Sequence, residues 1–239
     1  MIKPTILIPM AGAGSRFTQA GYVFPKPLIE INDKPMIQVV VENLGVNFKF
    51  IYIVQKEHYE KYNLKHLLQL ITPDCNIITT DSLLEGAACT TLLAKELINN
   101  ESPLLIANSD QFLEWDSESF YESIKNDNIH GSIITFNSTH PKWSFVKIND
   151  KEEVVEVAEK KPISNIATAG LYYWLKGSDY VKYAEQMINK NIRINNEFYV
   201  APVYNEAIED GKIIKTFKIK KMWGLGTPTD LSLFLEKHN

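Results

Sequence analysis

The order of the apolar runs restricts the fold more than any other feature. Thr5–Pro9 is a short apolar run ending in a glycine turn, Met36–Leu44 has apolar residues at helical spacing, and Phe50–Val54 is a second β-rich run. A polar helical stretch near Glu57–Leu70, a strand at Asn76–Thr80, a helix from Gly86 to about Ile98 and the apolar run Pro103–Ala107 follow. Strands that alternate with helices need crossover connections, which place helices on both faces of a mostly parallel sheet. Beyond Asp110 the rhythm changes. A helix near Ser117–Lys125 leads into Gly131–Phe136, Trp143–Ile148, Glu153–Val157 and Ala167–Trp174, strands with short turns between them that make the sheet a mixed one. Helices at Gly177–Asn189 and Glu197–Glu209, a strand at Ile213–Ile219 and a helix after Pro228 complete the chain. No Ser/Gly-rich linker, repeat or low-complexity tract interrupts it. The expectation is α/β with a Rossmann-like sheet, one domain over 1–239. Its front half (about 1–115) holds the alternating strands and helices, and its back half (about 116–239) the hairpins and closing helices.

Composition narrows the partners. The net charge is −4, so there is no cationic surplus for coating a nucleic acid. The opening apolar stretch is too short for a membrane span and is soon followed by Arg16, which predicts a strand of a cytoplasmic protein. Two cysteines, Cys75 and Cys89, lack the number and spacing of a disulfide framework or a zinc site and read as buried, reduced thiols. The five histidines form no metal spacing.

Open parallel sheets bind ligands at the carboxyl ends of their strands, and the first strand runs into Met10-Ala11-Gly12-Ala13-Gly14-Ser15-Arg16. Gly12 and Gly14 let the loop turn sharply and present backbone N–H groups to an anion, and Arg16 adds a cationic fork for phosphate oxygens. A GxG turn alone also occurs for steric reasons. The dinucleotide fingerprint would need a third glycine where Phe17 stands, and the P-loop Gly-Lys-Ser/Thr is absent. Nine residues beyond Arg16, Pro25 and Pro27 clamp the backbone around Lys26 and aim its ammonium.

The pair GxGxR and PKP at this spacing resembles the signature of the nucleotidyltransferases that activate sugar phosphates and related phosphate esters. Further likenesses follow in order: Glu85-Gly86-Ala87-Ala88 to the segment that meets the nucleobase, Asn108-Ser109-Asp110 to the end of the metal-bearing strand, Glu159-Lys160-Lys161-Pro162 with Ala169-Gly170 to the sugar-phosphate part, and Gly226 to Leu231 to the closing element. The resemblance implies a nucleotide-diphospho-sugar transferase-like fold and transfer of a nucleoside monophosphate from a triphosphate to a sugar 1-phosphate or another small phosphate ester, with release of diphosphate. It also implies a place in surface or capsular polysaccharide synthesis, with a homodimer among the assemblies open to the chain.

By the resemblance Arg16 and the amides of Ala11, Gly12, Ala13, Gly14 and Ser15 hold the triphosphate, Lys26 meets the reacting phosphates, and Asp110 carries Mg²⁺, a hard cation suited to carboxylate. Asp110 also has a plain alternative as the N-cap of a helix over Gln111–Trp115. Lys161 would grip the acceptor phosphate with Glu159 beside it, and Gly170 would let substrate approach the backbone. Many relatives carry a second metal-binding Asp where this chain has Gly224, so that either Asp110, phosphates and water hold the metal, or another carboxylate such as Asp230 or Glu197 substitutes.

For the base, Asp81, Glu85 and Gly86 frame the turn; ionised carboxylates only accept hydrogen bonds, which favours a base with an exocyclic amine, cytosine and hence CTP first and guanine or adenine behind it, over uracil and thymine. Asn195, Asn196, Glu197, Phe198 and Tyr199 offer amides, a carboxylate and rings to the acceptor. Trp143, Phe145, Tyr172, Tyr173 and Trp174 sit on alternating strand positions and read mostly as core. Two readings from other classes stay open: a glycosyltransferase consuming a nucleotide sugar, and a nucleotide-binding regulatory domain without turnover.

Overall fold

The structure, a computed structural model, describes residues 3–126 and 128–238. Its strands are β1 (Thr5–Pro9), β2 (Glu30–Ile31), β3 (Lys34–Pro35), β4 (Lys49–Gln55), β5 (Asn76–Thr80), β6 (Leu104–Ala107), β7 (Gln111–Glu114), β8 (Gly131–Asn137), β9 (Ser144–Ile148), β10 (Val154–Glu159), β11 (Ile166–Trp174), β12 (Ile214–Lys218) and β13 (Lys221–Gly224). The helices are α1 (Ser15–Gln19), α2 (Met36–Leu44), α3 (Lys56–Lys61), α4 (Leu64–Ile71), α5 (Ala87–Leu92), α6 (Lys95–Ile98), α7 (Ser117–Asn126), α8 (Gly177–Asn189), α9 (Val203–Glu209) and α10 (Pro228–His238), with a 3₁₀ turn at Lys26–Leu28.

β1 is the hinge of the architecture. It pairs in parallel with β4 on one side and β6 on the other, and β4 continues to β5. β6 then meets β11 antiparallel, β11 meets β8 antiparallel, and β8 carries β12 in parallel; the β9–β10 hairpin joins β11 through Ala167 and Phe145. The sheet is therefore mixed, with both halves of the chain in its nine strands. Alternation along the strands feeds two cores: Ile6 and Ile8 of β1 and Phe50, Tyr52 and Val54 of β4 face one layer, Leu7, Ile51 and Ile53 the other. α2 shows how the helices attach. Met36, Ile37, Val40, Val41 and Leu44 bury one stripe, and Gly45, at φ 100°, ends the helix.

Several expected helices are shorter than their periodicity suggests. The stretch near Glu57–Leu70 breaks at Asn63, whose left-handed φ of 51° separates α3 from α4, and the Gly86–Ile98 stretch is two short helices, α5 and α6. The expected Glu197–Glu209 helix begins only at Val203. Its first residues instead form a tight turn in which Ile194 and Glu197 exchange both backbone hydrogen bonds, at 3.0 Å each, around Asn195 and Asn196 at φ 50° and 64°. Two positive φ values in succession suit asparagine, and such turns join paired strands.

The segment after Asp110 is also not helical. β7 forms an antiparallel ribbon with β13, from Lys221 opposite Glu114 to Gly224 opposite Gln111, so the helix-capping alternative for Asp110 falls away. Cys75 and Cys89 are free and only partly buried. No helix among the described residues is long and apolar enough to cross a membrane.

Candidate active site

Because β1 and β6 are parallel neighbours, their carboxyl ends deliver the glycine loop and Asn108-Ser109-Asp110 to one edge of the sheet. A cleft of about 440 Å³ opens there, lined from the front half by Arg16, Lys26 and Asp110 among others. The loop is held by its carbonyls: Gln55 Nε2 donates to Ala11 O at 2.9 Å and Gly12 O at 3.2 Å. Among the described residues nothing accepts the N–H groups of residues 11–16, so the loop retains free donors. Gly14, at φ 62°, turns the chain into α1, and a Cβ there would lie 3.4 Å from Lys26 Cβ, so the loop and the Pro-Lys-Pro element touch. Lys26 opens its 3₁₀ turn with Leu28 N on Pro25 O at 2.8 Å, and its ammonium reaches Asp110 Oδ2 at 2.9 Å. Arg16 makes no ion pair among the described residues and remains available to an anion.

The closing element packs directly over Asp110. Leu225 N donates to Asp110 O at 2.8 Å, and a Cβ on Gly226 would fall 2.4 Å from Asp110 Oδ2, so any side chain there would push the Asp110 carboxylate from its place. Asp230 forms a capping pair with Thr227: the Thr227 hydroxyl donates to Asp230 Oδ2 at 2.8 Å and accepts Asp230 N at 3.1 Å. The other carboxylate oxygen of Asp230 holds Lys142 Nζ at 2.7 Å.

On the far wall Glu159 accepts a hydrogen bond from Ser144, and Lys160 donates to the Tyr199 hydroxyl, which donates in turn to Glu197 at 2.5 Å. Burial pushes the Glu159 carboxyl above its ordinary 4.5; the Ser144 hydrogen bond and Lys160 oppose this, and Glu197 adds to it. A folded pKa above the unfolded one makes a stabilising contribution that is full below the unfolded pKa and is lost as pH rises through the folded value. Glu159→Gln is expected to melt progressively higher relative to the native chain as pH is raised from about 4.5 towards neutrality. Parallel melting curves across that range would remove Glu159 as the cause.

Not every expected site residue lies in the cleft. Arg16, Lys26, Asp110, Glu159, Gly170 and Glu197 line it together. Lys161 does not: it is exposed, and Lys160, at φ 54°, turns inward in its place. The expectation named Lys161, but the left-handed backbone at Lys160 turns that side chain, and not Lys161, to the cleft. Asp81 and Glu85 lie outside the lining, with side chains 76% and 65% exposed, and are engaged by Lys56 at 3.6 Å and Arg193 at 2.9 Å. Gly86 and Ala11–Ser15 border the cleft without lining it, whereas Ala87 lines it.

Gly170 has a reason of its own. It sits in the register shift of β11 at φ 74°, its carbonyl accepts Asn108 N at 3.0 Å and Gln111 Nε2 at 3.2 Å, and a Cβ would come within 2.0 Å of Gln111 Oε1. Packing, before any substrate, requires glycine. Of the five aromatics read mostly as core, Trp143 lies just outside β9, where strand alternation no longer governs it, and lines the cleft. Lys142 and Lys160 also line it, and no motif in the sequence marked Lys142.

The residues fit a hard divalent cation. Lys26 already places a cation on Asp110, whose carboxylate is an oxygen donor of the kind Mg²⁺ takes alongside phosphate oxygens and water, whereas both oxygens of Asp230 are engaged by Thr227 and Lys142. Among the described residues no three His, Cys, Asp or Glu side chains group as a metal cage, so such an ion would depend on substrate oxygens.

Fold and cleft together define a nucleotide-diphospho-sugar transferase-like α/β protein. Residues 5–233 match the family described as nucleotidyl transferase, and the chain belongs to that family. It is 25% identical over 239 residues to the bifunctional protein GlmU of Methanocaldococcus jannaschii, covering 94% of this chain and 52% of that protein. It is 24% identical to a mannose-1-phosphate guanyltransferase of Emericella nidulans, covering 94% of this chain and 61% of the other. It thus spans between half and two thirds of these relatives. Among solved structures, a nucleoside-diphosphate-sugar pyrophosphorylase from Vibrio cholerae superposes with a TM-score of 0.83 at 25% identity, over 97% of this chain and 99% of that one. The inositol-1-phosphate CTP transferase of T. maritima shares the fold, with a TM-score of 0.78 at 16% identity over 99% and 95% of the two chains.

Proposed function

We propose that the chain transfers a nucleoside monophosphate from a nucleoside triphosphate to a sugar phosphate or a related phosphate ester and releases diphosphate. The observation that carries this reading is the Lys26–Asp110 pair at 2.9 Å where β1 and β6 end, beside an unpaired Arg16 and a loop with free N–H donors. The attacking group needs little activation, because a phosphomonoester with a second pKa of about 6 is largely ionised at neutral pH. What the reaction needs is neutralisation of converging negative charge and in-line placement of the attacking and leaving oxygens.

Arg16 and the amides of residues 11–16 take the triphosphate oxygens, and Lys26 leaves Asp110 for the reacting phosphates. Lys160 meets the acceptor phosphate, while Glu159 and Glu197 receive donors on the acceptor body. A Mg²⁺ ion on Asp110, when bound, would supply further charge neutralisation at the phosphates. For the base we favour cytosine: Asp81 and Glu85 are acceptor-only groups at the turn after β5, and Glu85 can serve once Arg193 releases it.

A diphosphate-release screen of the common triphosphates against sugar phosphates and other phosphate esters tests the whole reading. Release with CTP at the highest initial rate is expected; preference for UTP or dTTP would reject the cytosine assignment, and release of nucleoside diphosphate from a nucleotide sugar would reject the reaction. Tight CTP binding without turnover across the panel would favour the regulatory reading, for which Gly224 is the supporting residue.

A further inference from the structure

The acceptor half of the cleft contains a small box that already holds an ammonium group. Lys142 Nζ lies 4.4 Å from the centroid of the Trp143 ring and 2.7 Å from Asp230 Oδ1. Gly224 forms the floor: a Cβ there would lie 3.2 Å from Trp143 Cη2 and 3.7 Å from the Asp230 carboxylate. The missing side chain leaves the space between ring and carboxylate open to the cleft that all four residues line. An aromatic face joined to a carboxylate suits an alkylammonium, which a ring attracts through its quadrupole and a hard metal ion would not select.

The surrounding charges point the same way. The acceptor side carries Glu159, Glu197 and Asp230 against Lys142 and Lys160, a surplus of carboxylate on the wall that must receive an anionic ester. Lys142 and Lys160 are both drawn to a phosphate when one enters. Their departure vacates the Trp143–Asp230 box and leaves three carboxylates facing the body of the acceptor.

We propose that the Trp143–Asp230–Gly224 box binds an ammonium group of the acceptor, so that the preferred acceptor is a phosphate monoester that also carries an amine. This rests on the nucleotidyl-transfer reading of the same cleft. On acceptor binding, Lys142 exchanges its place on Asp230 for the acceptor phosphate and the substrate ammonium takes over the box.

The test compares diphosphate release with CTP, and with the other common triphosphates, for amine-bearing and neutral esters. Glucosamine 1-phosphate is set against glucose 1-phosphate, and phosphoethanolamine and phosphocholine against glycerol 3-phosphate. An amine-bearing ester is expected to exceed its neutral counterpart by about tenfold or more in kcat/KM, and the successful pair distinguishes an amino sugar from an amino alcohol. Trp143→Leu and Asp230→Asn are expected to bring that ratio close to one, a readout that general loss of activity does not imitate. Turnover of neutral esters as well as, or better than, amine-bearing ones overturns the proposal and leaves nucleotidyl transfer standing. Should no triphosphate and ester release diphosphate, nucleotidyl transfer fails, and calorimetric binding of the same esters still decides the box: tighter binding of the amine-bearing member supports it, equal or weaker binding overturns it.

Discussion

Replacing Lys26 by alanine is expected to lower kcat/KM by about 10²- to 10³-fold, the scale on which removing one fixed donor from a developing charge acts. The ammonium is the only cation that the Pro25–Pro27 clamp fixes, and it sits 2.9 Å from Asp110 at the meeting of β1 and β6. No neighbouring cation takes over its place: Arg16 rises from α1, and Lys142 and Lys160 belong to the opposite wall. Stability should fall by only about 1–3 kcal/mol, because the Lys26 and Asp110 side chains are 21% and 27% exposed and Lys26→Ala leaves a part-buried carboxylate without its partner. Lys26→Arg should recover only part of the rate, since a planar fork does not reproduce the point charge of an ammonium. Steady-state kinetics beside thermal melts separate the two effects, and near-native turnover by Lys26→Ala would remove the residue from the mechanism.

The largest expected loss of stability is for Gly86→Ala. Gly86 has φ 117° and ψ 174°, a region essentially restricted to glycine, and a Cβ there would meet backbone: Phe198 O at 2.4 Å and Phe198 N at 2.6 Å. That backbone cannot withdraw, because Phe198 N donates to Glu85 O at 2.7 Å and Phe198 O accepts Ala88 N at 2.9 Å. The cost should reach about 3–5 kcal/mol, combining conformational strain with a lost backbone contact. Gly12→Ala is the control: its Cβ would meet nothing within 4 Å, and its stability should stay within about 0.5 kcal/mol of native. Denaturant midpoints at constant slope measure both; equal midpoints would show that the Gly86–Phe198 seam yields at no cost.

Much of the frame was legible because buried strands and amphipathic helices leave strong periodic signals. β1, α2, β5 and α8 coincide with their expected ranges, since each is an uninterrupted run bounded by residues that end it. The elements that failed lack such a signal. β7 and β13 are four residues each and acquire meaning only by pairing across more than a hundred residues. The Asn195–Asn196 turn was read as a supply of amides, yet its backbone geometry is what brings Glu197 to the cleft.

At the site, motif spacing and strand ends both lead to Arg16, Lys26 and Asp110, and the three meet in the cleft. Which of Lys160 and Lys161 faces the cleft is not legible in the sequence, since two adjacent lysines differ only in backbone conformation. Lys142 and Trp143 were out of reach for another reason: their environment includes Asp230, 88 residues from Lys142, and a glycine whose significance lies in the space it leaves.

The place of β1 in the sheet also bears on how the chain is assembled during synthesis. β1 is made well before its second neighbour, β6, which begins at Leu104, and β6 remains an edge until β11, ending at Trp174, lies against it. While the residues between β6 and β11 are being made, the chain therefore carries an unpaired edge at the strand that will support Asp110. Slow, long-range pairing of this kind leaves nascent chains exposed to association. Truncations ending between β6 and β11 should accordingly be the most aggregation-prone of a nested series, and the cleft comes into being only when β13 and the Leu225–Gly226 turn after it close over Asp110.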